Sequence, residues 1–382
     1  MKELIQSSLE TDSSTSKSSP LEKVEQEGSP LHGLTFNELK GLFRTHGLCE
    51  HQARLTFQNI HRSGKLYFSE MAGMSSACRR VLESFSQLPR LAVEAVHRAE
   101  DTTTKLRLKT PGGDAVETVI IPSGRRVTLC ISSQVGCAAA CSFCHTGTMG
   151  LRRNLEAWEI VEQYRVARQY WTEWVGQTFL SAGTGKNADA TSPITNIVFM
   201  GMGEPLHNEA NVTQACRILN DDIGAGFPRR RLVMSTAGVG NRIRPFWEEG
   251  VASLSVSLHA TTDELRDRLV PMNRQWNLSA LRKILLDIPW RKSDTLMLAY
   301  LLMDGVNDSN DDALRLAQWV KGLPAKINLL EFNPFPGTEF RRTPPHRRQA
   351  FRKCLFDAGA FTTCRVSRGE DVMAACGQLA VD

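Results

Sequence analysis

Seven short β-rich runs, most followed by a stretch of helical periodicity, constrain this chain more than any other feature. The runs are 127–132, 194–200, 231–235, 253–258, 296–302, 326–332 and 361–366. Among them, segments 154–170, 208–220, 263–269, 278–287, 309–321 and 345–358 carry apolar residues at helical spacing. From the 194–200 run onward, strand midpoints lie roughly 20–45 residues apart, as parallel βα units require. Six or so units predict an α/β fold built as a TIM-like barrel, partial or complete. Periodicity leaves open whether the barrel closes, and a doubly wound sheet stays as the alternative. Residues 175–192, rich in Gly, Thr, Ser and Ala, read as a surface loop inserted before a strand.

The N-terminal part is different. Residues 1–30 hold eight serines, and three lysines against six acidic residues. Such a stretch buries too little apolar surface to offset its ordering entropy, so a disordered serine-rich tail is expected. Residues 31–98 read as a small helical accessory domain. Phe36, Leu39, Leu42 and Phe43 fall on one helix face, Thr35 suits an N-cap and Glu38 completes a capping box. Further helices are expected over 51–61 and 76–88. Residues 99–126 form a hairpin linker or barrel extension, with Lys105–Leu108 and Glu117–Ile121 flanking Pro111-Gly112-Gly113. Residues 127–382 then make the core.

No apolar run approaches the roughly 18–20 residues that span a bilayer. The N-terminus lacks the apolar segment of a signal peptide. A cytoplasmic, reducing location without membrane contact is the expectation. There, ten cysteines among 382 residues point to ligands or reactive thiols rather than a disulfide framework. The net charge of +5 is compatible with a nucleic-acid partner without demanding one.

Three of the thiols stand in Cys137-Ala-Ala-Ala-Cys141-Ser-Phe-Cys144. Their spacing suits a loop wrapped around a metal or cluster, not a regular strand. One reading is a structural zinc site completed by His145 or a distant cysteine. The other is an iron–sulfur cluster whose remaining iron keeps an open position. The spacing is similar to the loop signature of radical S-adenosylmethionine (SAM) enzymes, in which the open iron of a 4Fe–4S cluster chelates SAM. The loop follows the 127–132 strand, and chemistry in βα barrels is built from loops at strand C-terminal ends.

Later strands end in the same way. The 194–200 strand runs into Gly201-Met202-Gly203-Glu204-Pro205, where glycines permit close backbone approach and Glu204 suits a cationic amino group. Ser235-Thr236-Ala237-Gly238, then Ser257-Leu258-His259, then Asn333-Pro334-Phe335-Pro336-Gly337 close later strands. Four such sites in register suggest one polar pocket for a ligand with ribose and carboxylate groups. Taken singly, His259 fits a satisfied structural histidine and Glu204 a solvated turn.

Together with Cys130-Ile-Ser-Ser-Gln-Val-Gly-Cys137 and Arg368-Gly-Glu-Asp-Val-Met-Ala-Ala-Cys376-Gly-Gln-Leu379, these motifs make the chain resemble the RlmN/Cfr family of radical SAM RNA methyltransferases. The resemblance covers about residues 33–381 and is strongest from 116 onward. It implies a partial (β/α)6 radical SAM barrel behind a helical accessory domain, with the cluster on Cys137, Cys141 and Cys144. SAM would lie on Gly203, Glu204, Ser235, Ser257, Leu258, His259 and Asn333. The implied reaction is methylation of an adenine carbon: C2 of adenine 2503 in 23S rRNA and, in part of the family, C2 of adenine 37 in tRNA. The Cfr reaction, at C8 of the same ribosomal adenine, confers antibiotic resistance and is the alternative. Leu151-Arg152-Arg153-Asn154-Leu155 leans toward it, whereas Asn-Pro-Phe-Pro-Gly leans toward RlmN. A non-catalytic, zinc-containing RNA-binding protein is the remaining reading.

By the same resemblance, Cys376 takes a methyl group from one SAM. A second SAM yields a radical that abstracts hydrogen from that methyl, so two are used per turnover. Cys130 then resolves the protein–RNA adduct through a disulfide with Cys376, and Glu117 accepts a proton. A flavodoxin-type protein supplies electrons, and a monomer is expected. His145 and Met373 depart from the family pattern, which has Ser or Ala and an acidic residue there; Val381 stands where Gly is common. Cys49, Cys78, Cys216, Cys354 and Cys364 carry no motif and read as packing residues. Arg229-Arg230-Arg231 and Arg341, Arg342, Arg347, Arg348, Arg352 and Lys353 are candidate phosphate contacts.

Overall fold

A computed structural model describes residues 30–65, 67–85, 88–182 and 193–381. The expected tail, save Pro30, lies outside the described residues.

A ten-stranded sheet organises the chain. Its first strands are β1 (Ala92–Arg98), β2 (Thr104–Lys109), β3 (Ala115–Ser123) and β4 (Arg126–Cys130). A separate hairpin follows, β5 (Gln134–Gly136) with β6 (Leu151–Asn154). The sheet then resumes with β7 (Asn196–Phe199), β8 (Leu232–Thr236), β9 (Ser253–Ser257), β10 (Leu296–Leu302), β11 (Ala325–Glu331) and β12 (Thr362–Cys364). Apart from the hairpin, spatial order follows chain order. β1 to β4 pair antiparallel. β4, β7, β8, β9, β10, β11 and β12 all pair parallel. The middle of the run is apolar on both faces, as a parallel sheet covered by helices requires: six of the seven residues of β10 are buried.

The expected strands and helices of the core are all present, within a few residues at their ends except for the helix expected over 154–170, which runs on to Ala182. Three βα helices begin with the side-chain caps their sequences offer: Thr262 to Leu265 N–H, Asn277 to Ala280 N–H, and Ser309 with Asp312 in a full capping box. Helix Phe36–Thr45 starts with the anticipated Thr35–Glu38 capping box.

Four features differ from the sequence reading. Residues 92–98 form a strand, not helix. Their composition carries little signal, and pairing with β2 decides them. The segment expected as a loop from 175 continues helix Ala157–Ala182; residues 183–192 lie outside the described residues. Helix Gly240–Glu248, with Pro245 inside it, was not foreseen. Nor was the β5–β6 hairpin that frames the cysteine loop.

Among the described residues no ladder joins β12 back to β4, so the barrel is partial. The C-terminal segment spans its open side. Gly369 N–H donates to Asp101 (3.2 Å), Lys105 Nζ to Met373 O (3.1 Å) and Ala380 N–H to Glu117 Oε2 (3.1 Å). The antiparallel extension is therefore the far wall for that segment. Gly369 has φ 69°, and a Cβ there would stand 2.8 Å from Thr103 Cγ2.

The N-terminal helices share one apolar cluster with the sheet, running from Leu31 to Leu379. Beneath it lies a buried polar knot. Arg165 Nη1 donates to Glu162 Oε2 at 2.6 Å, and His32 Nε2 lies 3.8 Å from the same oxygen. Burial, and secondarily Arg165, hold His32 and His61 well below the ordinary imidazole range. Both are neutral in the fold. Below the ordinary value near 6.5 the unfolded chain takes up protons that the folded chain refuses, so stability falls as pH falls. Urea unfolding should show a midpoint that drops between about pH 7.5 and pH 5.5. A midpoint constant over that range would contradict two neutral buried imidazoles.

Candidate active site

The cysteine loop leaves β5 and is pinned by backbone bonds. Cys137 N–H donates to Gly150 O (2.8 Å), Ser142 N–H to Leu269 O (3.2 Å) and His145 N–H to Gly377 O (2.7 Å). Ala140 takes φ 50°, the left-handed turn that folds the loop back. Gly147 cannot carry a side chain, since a Cβ would lie 2.7 Å from Cys141 O. Ala139 N–H donates to Cys137 Sγ at 3.4 Å.

Cys137, Cys141 and Cys144 line one wall of a cavity of about 150 Å³. They do not meet at a point: among the described residues no three His, Cys, Asp or Glu side chains are placed to share one metal ion. A cubane takes each thiolate on a different iron, and the cavity opposite leaves room at a fourth. The donor set fits that cluster. Burial pushes Cys137 up to about 12 and raises Cys141 and Cys144 as well. Binding iron must therefore displace protons from all three.

The facing walls of this cavity carry Gly203, Glu204, Ser235, Ser257 and His259, from the ends of β7, β8 and β9. Gly203, at φ 103°, lies so close to Gln134 that a Cβ would be 2.6 Å from Gln134 Cβ. Glu204 is buried and accepts from Ala237 N–H (2.6 Å) and Leu206 N–H (3.0 Å). Burial outweighs those bonds and raises it to about 6. His259 sits in a left-handed conformation, φ 58°. Burial, with Arg266 nearby, lowers it to about 3. Its Nδ1 accepts from Leu301 N–H at 3.1 Å, so the proton rests on Nε2. The neutral ring is a fixed donor on the cavity wall.

Two expected ligands fall elsewhere. Leu258 packs into the apolar core and does not line this cavity, because side chains alternate across a strand end. Asn333 lines the neighbouring cavity and donates to Cys376 O at 3.2 Å. Arg266 escaped the sequence reading. It is fully buried and donates to Leu258 O, Ala237 O, Ser257 O and Asn273 Oδ1, tying the ends of β8 and β9 together. Its position four residues after Thr262, inside a charged helix, gave no sign of this.

A second cavity, about 570 Å³, occupies the concave face of the sheet. Met200, Met297, Asn328, Leu330, Arg365 and Cys376 line both cavities. Cys376 thus stands at their junction. Thr146 Oγ1 to Leu379 O (2.5 Å) and Gln378 Nε2 to Pro334 O (2.7 Å) secure its loop. Cys130 lines the second cavity from β4. Burial raises its thiol to about 12, with Cys376 adding to the rise and Arg365 opposing it.

All ten cysteines are free. The Cys130–Cys376 disulfide implied for one stage of the cycle is absent from this state. Cys364, expected as packing, is exposed on the rim of the larger cavity. Glu117 lines neither cavity. It is buried against Lys105 Nζ (2.9 Å) and holds Ala380. Burial outweighs Lys105 and raises its carboxyl. His145 stacks on Phe335, centroids 5.0 Å apart. Several of the expected phosphate contacts are engaged inside the protein: Arg229 with Asp294, Arg342 with Glu370, Arg348 with Glu331 and Lys353 with Asp357.

The radical SAM superfamily matches residues 131–317. A crystal structure of a radical SAM methyltransferase from Sphaerobacter thermophilus superposes with a TM-score of 0.82 at 36% identity, covering 92% of this chain and 98% of that one. Fold, cysteine loop and facing pocket thus make this a radical SAM enzyme, a class that works with a 4Fe–4S cluster and SAM. The dual-specificity RNA methyltransferase RlmN of Paracoccus denitrificans is 43% identical over 94% of this chain and 92% of its own. That of Cereibacter sphaeroides is 42% identical over 92% and 90%. The chain belongs to the RlmN family.

Gly147→Ala should prevent the cysteine loop from closing. Anaerobic reconstitution should then give iron contents as low as those of Cys141→Ala. Wild-type iron uptake by Gly147→Ala would show that the loop does not need that contact.

Proposed function

We propose that the protein methylates an adenine carbon in RNA, foremost C2 of a 23S rRNA adenine with a tRNA adenine as second substrate, through a methyl group carried on Cys376. The observation that carries the reading is the place of Cys376, on a clamped loop where a small pocket beside the cluster cysteines opens into a cavity large enough for a nucleotide.

When bound, the cluster and SAM supply a methyl group and a hydrogen-abstracting radical, the two drawn from two SAM molecules per turnover. An adenine amidine carbon is not nucleophilic, so direct attack on a sulfonium methyl is closed to it. Cys376 Sγ offers a nucleophile in its place, and its loop faces the methylated sulfur to either cavity. His259 Nε2–H and the carboxylate of Glu204 present a donor and an acceptor to the polar end of the cofactor. Gly203 lets the backbone approach it. Arg365 favours the thiolate of Cys130, which the adduct-resolving step requires. In that step the Cys130 thiolate attacks Cys376 sulfur, the carbon–sulfur bond breaks with its electron pair passing to the base, whose exocyclic carbon takes up a proton to become the methyl group, and the two cysteines end as a disulfide. Glu117 acts as a positioning residue, holding the far end of the Cys376 segment. A flavodoxin-type donor returns the electrons.

Mass spectrometry of RNA from a deletion strain complemented with this gene tests the reading. Restored 2-methyladenine supports it, 8-methyladenine replaces C2 by C8, and unchanged RNA refutes both. Cys376→Ala should yield no methylated base. Cys130→Ala should leave RNA covalently attached to the protein, visible as a denaturing-gel shift; release at the wild-type rate would remove Cys130 from the mechanism.

A further inference from the structure

The larger cavity does not end at Cys376. It runs down the concave face of the sheet to the opposite ends of the strands. Its lower wall includes Arg126, the first residue of β4, Asn196, the first of β7, and Lys326, near the start of β11. From Lys326 to Glu331 the strand alone spans roughly 17 Å. The cavity therefore has a second mouth, remote from the cysteine loop.

That mouth has a distinct chemistry. Arg126 is exposed, and neither it nor Lys326 pairs with a carboxylate among the described residues. The nearby acid on the wall, Glu331, is occupied by Arg348. Phe361 immediately precedes β12, and its ring is 66% exposed. Lys326 Nζ lies 5.5 Å from the centre of that ring. An exposed aromatic ring against a cation that lines a nucleotide-sized cavity, with a second cation free of carboxylates nearby, matches what single-stranded nucleic acid binds: a stacking face together with backbone charge.

We infer that this strand-start mouth receives the RNA, with Phe361 as a stacking platform for an unpaired base flanking the target adenine and Arg126 and Lys326 as phosphate contacts. The inference rests on the RNA reading above and adds the direction of entry. The target base enters from the strand starts and meets Cys376 from the side opposite the cluster. SAM then occupies the small pocket without blocking the base. An electron-donor protein has reason to approach the cysteine loop instead, at the other end.

Fluorescence anisotropy with a labelled RNA stem-loop carrying an unpaired adenine tests this on the full chain, without cluster or SAM. Phe361→Ala should weaken binding by about fivefold or more, and Phe361→Trp should restore it. Lys326→Gln and Arg126→Gln should each reduce the slope of log Kd against log salt by about 0.7. Thermal melts and iron uptake of each variant report folding separately. If the wild-type chain binds this RNA and all variants match it in Kd and slope, the entry route is wrong while the RNA reading stands. If the wild-type chain does not bind RNA, both fail. Loss of reduction by a flavodoxin with unchanged RNA affinity would make the mouth a protein-docking site and overturn the inference.

Discussion

The site depends on a clamp across the open side of the sheet. A parallel run that ends at β12 without returning to β4 leaves a gap, and the C-terminal segment lies across it. The clamp centres on Lys105 and Glu117, buried on neighbouring strands with Nζ and Oε1 2.9 Å apart. Each holds the segment as well, Lys105 through Met373 O and Glu117 through Ala380 N–H. Removing one partner of such a pair strands the other charge in the interior, at a cost on the order of 3–5 kcal/mol. The same groups that order the segment would then work against it. Cys376 lies between the two anchoring points, so its position follows from this pair.

The other half of the site is tied to the same segment. His145, next to the last cluster cysteine, donates its backbone N–H to Gly377 O, and Thr146 bonds Leu379 O. The cysteine loop and the Cys376 loop are therefore one hydrogen-bonded unit, although more than 230 residues separate them in the chain. Arg266 does the same for the pocket floor by drawing together carbonyls from β8 and β9. The left-handed His259 and Ala140 are strained conformations of the sort that surrounding contacts must sustain.

Much of the fold was legible beforehand. Strands such as β10 declare themselves by continuous apolar runs, and caps such as Thr35–Glu38 by a four-residue pattern. β1 was not legible, because Ala92–Arg98 is almost wholly exposed and only the ladder to β2 makes it a strand. The extension of helix Ala157–Ala182 past 175 was hidden because its residues mix Gly and Thr with apolar side chains. Among site residues, Cys137, Cys141, Cys144, Glu204 and His259 came from local motifs. That Asn333 lines the adjoining cavity and Leu258 the core was not legible, since which face of a strand end meets a cavity depends on the curvature of the sheet. An arginine run, likewise, does not reveal which members already face a carboxylate, as Arg229, Arg342 and Arg348 do.

By itself, the sequence determined the alternation of strands and helices, and the three-cysteine loop with its place after a strand. These follow from periodicity and spacing within a few residues. The tertiary structure decided what no local pattern encodes. It brought Cys376 beside the cysteine loop and Cys130, made Glu117 half of a buried clamp with Lys105, and extended the cavity to the strand starts. The physical reason is that the contacts placing the Cys376 segment link residues more than 230 positions apart. Their energies depend on burial and on partners that exist only once the sheet has curved and its open side has been spanned.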